Sequence, residues 1–142
     1  MNQQESRTTE RLNAFLRAEL AAVHAYEHAL RLLNGRLGDD SEQILAFAAG
    51  HQRTVAALQG CIRALGGVAA AEAGTWGSFG LLRDAVSIRL LLEAEQSGLD
   101  EYEAALPSLD GEVRELVERE LVPRQRRHVA TLSRILSDLA PA

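Results

Sequence analysis

Four ionisable residues, Glu19, His51, Glu95 and His128, each interrupt an otherwise apolar helical stripe, and they do so as a repeat. Glu19 and Tyr26 stand seven apart, as do Glu95 and Tyr102, and similar text follows each tyrosine, YEHAL over 26–30 and YEAAL over 102–106. His51 follows Glu19 by 32 residues and His128 follows Glu95 by 33, so the halves are offset by 76 or 77 throughout. A carboxylate or imidazole buried among leucines is costly unless something pairs it, and a metal ion is one such partner. The pattern asks for a fold built twice over, with each polar interruption turned inward.

Apolar periodicity predicts four helices. The first runs over 9–33, with Leu12, Phe15, Leu16, Val23, Tyr26, Leu30 and Leu33 on one stripe. Asn34-Gly35 stops it, and Asp39, Asp40 and Ser41 offer N-caps for a second helix over 41–65, which turns Ile44, Phe47, Val55, Leu58, Ile62 and Leu65 inward. Gly66-Gly67 ends that helix. The third covers 81–106, with Ile88, Leu91, Leu92, Leu99, Tyr102 and Leu106 inward, and Pro107 stops it. Ser108 or Asp110 caps the fourth, over 110–139, whose stripe is Val117, Leu121, Leu132, Ile135 and Leu139. Pro123 lies inside it and predicts a kink or break about one turn earlier.

Loop lengths select the topology. Two short connections make the first and second, and the third and fourth, antiparallel hairpins. The long connection, 66–80, reads GGVAAAEAGTWGSFG, in which Trp76 and Phe79 are candidate anchors. Fifteen residues span up to roughly 50 Å extended, more than the ~37 Å of a 25-residue helix. A crossover of this length makes the second and third helices parallel, giving an all-α four-helix bundle in one domain, 1–142.

Winding each helix at about 100° per residue places the named apolar residues within about 60° of Glu19, His51, Glu95 or His128 on their own helices. Each helix thereby aims one ionisable group at the bundle axis. Two carboxylates and two imidazoles form a plausible ligand set for iron or manganese, or less readily zinc. The competing reading is a buried ion-pair network, in which Arg124, about 40° off the stripe and one turn before His128, neutralises a carboxylate. Counted from these boundaries, Glu19 lies about 21 Å from its hairpin end and His51 about 14 Å from it, and the second hairpin is mismatched a little more. Tyr26 and Tyr102 read as core residues with a satisfied hydroxyl or as participants near the site, and Gln125 as a supporting group or weak ligand. His24, His28, Glu27 and Glu103 fall on flanking surface.

In this order (Glu, His, Glu, His on successive helices with a long central crossover) the chain resembles the ferritin-like superfamily, which includes ferritins and rubrerythrins. The tyrosine seven residues after Glu19 resembles the tyrosine beside the ferritin metal site. The chain looks most like small bacterial ferritin-like domains, on its E-L-x-A-V…Y-x-x-A-L helix, its Gly-rich crossover with Trp76 and its L-x-P-R-Q-x-x-H segment. The resemblance covers nearly the whole sequence. It implies non-haem metal binding through Glu19, His51, Glu95 and His128, in metal handling or oxidative-stress redox chemistry. A di-iron site of that superfamily has Glu-x-x-His on the second and fourth helices. Here the text is Ala48-x-x-His51 and Gln125-x-x-His128, so both bridging carboxylates are replaced and a single ion is easier to accommodate than two. The alternative is a structural or interaction bundle that has lost the di-metal site.

Composition removes other classes. A net charge of −5 without an extended basic run argues against nucleic acid, and Arg124, Arg126 and Arg127 read as a helix face or charge partners. No apolar stretch approaches a membrane span, the polar start is no signal peptide, and the lone Cys61 suits a reducing cytoplasm. Neither a nucleophile triad, a phosphate-binding glycine loop nor a cysteine cluster is present to indicate a particular enzyme class. Leu82, Val86 and Leu90 form a second apolar stripe on the third helix, which predicts a homodimer.

Overall fold

In the computed structural model, residues 2–33, 38–73 and 84–139 are described, without the side chains of 32, 33 and 84–86. The regular elements among them are helical: α1 (Gln3–Leu33), α2 (Asp39–Ala64), α3 (Asp84–Ala105), a 3₁₀ turn (Leu106–Ser108), α4 (Gly111–Leu116), a π-helical turn (Val117–Leu121) and α5 (Val122–Leu139). Their contacts divide into two compact units, one built on α1 and α2, the other on α3, α4 and α5. The expected anchors Trp76 and Phe79 lie outside the described residues, as does Leu82 of the second stripe. The Val86 and Leu33 side chains lie outside them too, while Leu90 is half-buried.

In the first unit, α1 begins six residues before the expected Thr9. Asn2 caps it: the Glu5 amide donates to Asn2 Oδ1 at 2.8 Å, and Asn2 Nδ2 donates to Glu5 Oε1 at 2.7 Å. An Asn followed three residues later by Glu is a capping-box variant, which satisfies an orphan amide of the first turn. The start of α2 corrects the expected caps. Gly38 (φ 57°), not Asp39, Asp40 or Ser41, is the N-cap, and the acidic residues Asp39, Asp40 and Glu42 fill the first turn, where the helix dipole favours them. At the other end the Gly66 amide donates to the Arg63 carbonyl (2.9 Å) and the Gly67 amide to that of Ile62 (3.0 Å). With Gly66 at φ 78° this is a Schellman closure, and the two glycines end the helix as expected.

The chain leaving α2 is tied back to α1. Asn13 Nδ2 donates to the Val68 carbonyl at 2.9 Å, and its Oδ1 accepts from the Ala70 amide at 2.7 Å. One amide side chain thus serves a donor and an acceptor of a segment that has no ladder of its own. Contacts of Tyr26 with His51, and of Asn13 with Val68 and Ala70, show α1 and α2 antiparallel. Leu12, Phe15, Leu16, Tyr26, Ala29, Ile44, Leu58 and Ile62 are buried, whereas Val23, Leu30, Phe47, Val55 and Leu65 are half-buried.

In the second unit the fourth predicted helix is three pieces. Pro123 has no amide to donate and its ring crowds the carbonyl four residues back. The π turn Val117–Leu121 precedes it, and the Val122 amide reaches the Val117 carbonyl, five residues back. The expected disturbance about one turn before Pro123 is there, as a π turn rather than a break. Of the two expected caps, Asp110 holds the N-cap position of α4, without a side-chain capping bond, while Ser108 Oγ donates back to the Ala105 carbonyl (3.0 Å). Ile88, Leu91, Tyr102, Val117, Leu121, Leu132 and Ile135 are buried; Leu92, Leu99, Leu106 and Leu139 are half-buried. No helix among the described residues is long and apolar enough to cross a membrane.

Candidate functional site

Within the first unit, Nδ1 of His51 meets Oε2 of Glu19, with both side chains almost wholly buried. The pairing across antiparallel helices needs their distances from the hairpin end to agree. Because α2 starts at Asp39 rather than Ser41, His51 lies about 18 Å along its helix and most of the apparent mismatch with Glu19 disappears. Tyr26, two turns beyond Glu19 on α1, sets its ring 5.3 Å from the His51 imidazole at an interplanar angle of 36°. That contact limits the tilt of the imidazole and gives Tyr26 a place beside the pair.

The second unit repeats the motif. Nδ1 of His128 on α5 meets Oε2 of Glu95 on α3, and Glu95 is fully buried. The 3₁₀ turn after α3 rises about 2.0 Å per residue and so lengthens the α3 arm, which offsets much of the mismatch in this hairpin. Here the surroundings are more polar. Gln125 Nε2 donates to the Glu95 backbone carbonyl (3.0 Å) and to its Oε1 (3.2 Å). Gln125 Oε1 accepts from Arg124 Nε (3.1 Å) and Nη2 (2.5 Å). Arg124 is 8% exposed and Gln125 is 1% exposed, so these bonds form largely out of water. Arg124, read from sequence as a carboxylate partner, donates to Gln125 and through it is linked to Glu95. Tyr102 is buried on α3, two turns beyond Glu95. Arg126 faces outward and donates to Glu103 (3.1 Å), which stands on flanking surface as expected; His24 and Glu27 are exposed and His28 is half-buried.

The sequence reading missed Gly98. A Cβ built there would lie 3.0 Å from Gln125 Nε2, so the missing side chain is what lets the amide lie against α3. A glycine inside an apolar helical pattern is a signal for such an approach, and it stands one turn after Glu95.

The chemistry of each pair is constrained by its donors. A carboxylate oxygen and an imidazole nitrogen in direct contact both carry lone pairs, so an electropositive centre must lie between them. A proton on Nδ1 meets that need. A cation that replaces the proton meets it as well, and buried Glu/His oxygen and nitrogen donors suit first-row divalent metals. The donor set of these pairs therefore fits a metal.

No family model and no curated protein sequence matches the chain. Among solved structures it is similar to one described as ferritin like, diiron-carboxylate proteins from Bacillus anthracis str. Ames, with a TM-score of 0.79. The fold is ferritin-like. The match covers 96% of this chain and 99% of the other at 19% identity. All-α architecture in the ferritin-like four-helix class is thereby established, while at that identity the likeness concerns the ferritin-like fold alone.

Proposed function

We propose that this ferritin-like protein binds a non-haem metal ion, iron or manganese, through Glu19, His51, Glu95 and His128. The observation that carries the reading is the buried acid–imidazole pair made twice, Glu19 with His51 and Glu95 with His128, each a proton or cation holder by its donor chemistry. The solved structure of similar fold is described as diiron-carboxylate, which supports iron as the first ion to test. Ala48 and Gln125 stand where the superfamily pattern has carboxylates, and four protein ligands favour one ion over two. Bound iron or manganese would supply one-electron redox chemistry; the chain's own residues bury the donors, exclude water from them and hold their protons until an ion arrives. Cytoplasmic metal handling or oxidative-stress chemistry is the role this suits.

A second reading, a buried network that binds no metal, is favoured by the Arg124–Gln125–Glu95 hydrogen bonds, which partner one carboxylate without an ion. Anaerobic titration of Fe(II) or Mn(II) into metal-free protein separates the two. The metal reading expects saturable binding near one ion per chain, lost in Glu19→Gln and in Glu95→Gln. Absence of saturable binding in the unaltered protein would establish the network instead.

A further inference from the structure

The two halves of the repeat differ next to their histidines. Adding the offset of 77 sets Arg124 and Gln125 against Phe47 and Ala48, and adding 76 sets Gly98 against Ala22. The second half therefore carries a long amide where the first has a methyl, and lacks a methyl where the first has one. The exchange is complementary: the Gln125 amide occupies the space that a Cβ on residue 98 would crowd at 3.0 Å.

Orientation follows from hydrogen-bond chemistry. Arg124 has donors and no acceptor, so it takes Gln125 Oε1 and leaves Nε2 directed at α3. There Nε2 meets two acceptors, the Glu95 main-chain carbonyl and Glu95 Oε1. Glu95 Oε2 is left toward His128. An amide turned the other way would set its oxygen against both Glu95 oxygens and its N–H₂ against a guanidinium, which buried groups do not tolerate.

We infer that Gln125, oriented by Arg124 and admitted by Gly98, is a positioning residue that holds Glu95 as a one-oxygen ligand directed at His128. This rests on the proposed metal site. Gln125 itself is not a ligand, because its oxygen is committed to Arg124. Its neutral N–H also draws on Glu95 Oε1 without adding the negative charge that a glutamate would bring. Hydrogen bonds to a ligating carboxylate of this kind govern metal affinity by about 10- to 100-fold.

The test uses the whole chain and Mn(II) as probe. Gln125→Met keeps the volume and removes both polar ends; Gly98→Ala leaves Gln125 in place and narrows its seat. We expect Gln125→Met to weaken Mn(II) binding at least tenfold, and Gly98→Ala to weaken it several-fold while leaving the melting temperature of the metal-free protein close to that of the unaltered chain, since the helix propensity gained by alanine offsets the displacement of the Gln125 amide. A combined variant should bind no worse than Gln125→Met, because both changes break one contact. A structural role alone would move affinity and melting temperature together. Mn(II) binding unchanged in Gln125→Met would overturn the inference and leave the metal site standing. If the unaltered protein takes up no Mn(II) or Fe(II), the metal site falls, and the imidazole ¹⁵N shifts of His128 in metal-free protein judge the rest. Those shifts should move in both variants while those of exposed His24 stay; unmoved His128 shifts would overturn the positioning role itself.

Discussion

Glu95 illustrates what a single buried carboxylate requires. Its Oε2 faces His128, its Oε1 and main-chain carbonyl face Gln125, and nothing of it reaches water. Replacing it with Leu removes the carboxylate that meets His128 and one of the two acceptors of Gln125 Nε2, which keeps only the main-chain carbonyl. Breaking a buried pair from one side costs about 3–5 kcal/mol, so urea unfolding of metal-free Glu95→Leu should show a loss of that order. A loss below about 1 kcal/mol, the size of an ordinary exposed pair, would mean that the contact with His128 contributes little. Protons give a second residue-scale expectation. Imidazole and carboxylate must both shed protons to bind a metal, so binding should release protons and weaken as pH falls. Titration in buffers of different ionisation enthalpy would detect the release. The four residues were legible in the sequence because each broke an apolar stripe at a repeated spacing. Gln125's orientation was not, since it depends on Arg124 beside it and on Gly98 across the helix pair.

At the scale of elements, the end of α2 shows how a local signal and a tertiary contact combine. Gly66 supplies the left-handed residue, and replacing it with Ala should cost about 1 kcal/mol, because a Cβ disfavours that region. Gly67 has a different reason: a Cβ there would lie 2.5 Å from Thr9 Cγ2 and 3.2 Å from Ile62 Cγ2. Gly67→Ala should therefore cost about 1–3 kcal/mol as overpacking, and Thr9→Ser, which removes the nearer methyl, should recover part of it. Additive losses in the double variant would contradict this contact. Among the described residues the helix stripes and the stop at Gly66-Gly67 were read correctly from periodicity and glycine punctuation, α3 passes into a 3₁₀ turn at Pro107, and the expected stop Asn34-Gly35 lies outside those residues. Caps were read less well: Asp39, Asp40 and Ser41 all looked like N-caps, yet the turn used Gly38, because several capping residues in a row leave the choice to backbone geometry. The early start of α1 went unseen since its first turns carry no apolar period, although Asn2 and Glu5 stood at capping-box spacing. Pro123 announced a disturbance but not its form, a π turn in which Val117 and Leu121 are buried.

The whole molecule has a ferritin-like fold that a half-chain repeat foretold, and the repeat's imperfections are where its chemistry departs from symmetry. A ligand that binds only the folded state stabilises it by about 2.7 kcal/mol at a hundredfold excess over Kd. For a chain of this length that raises the melting temperature by roughly 10 °C. Addition of Fe(II) or Mn(II) to metal-free protein should give a rise of that order, reversed by chelator, and Glu19→Gln should abolish it. The most direct test is elemental analysis of protein purified without an affinity tag, with no metal added. The account predicts iron or manganese near one ion per chain, falling to background in protein that carries both Glu19→Gln and Glu95→Gln. Metal at background in the unaltered protein, with the fold intact and no uptake on adding either ion, would contradict it.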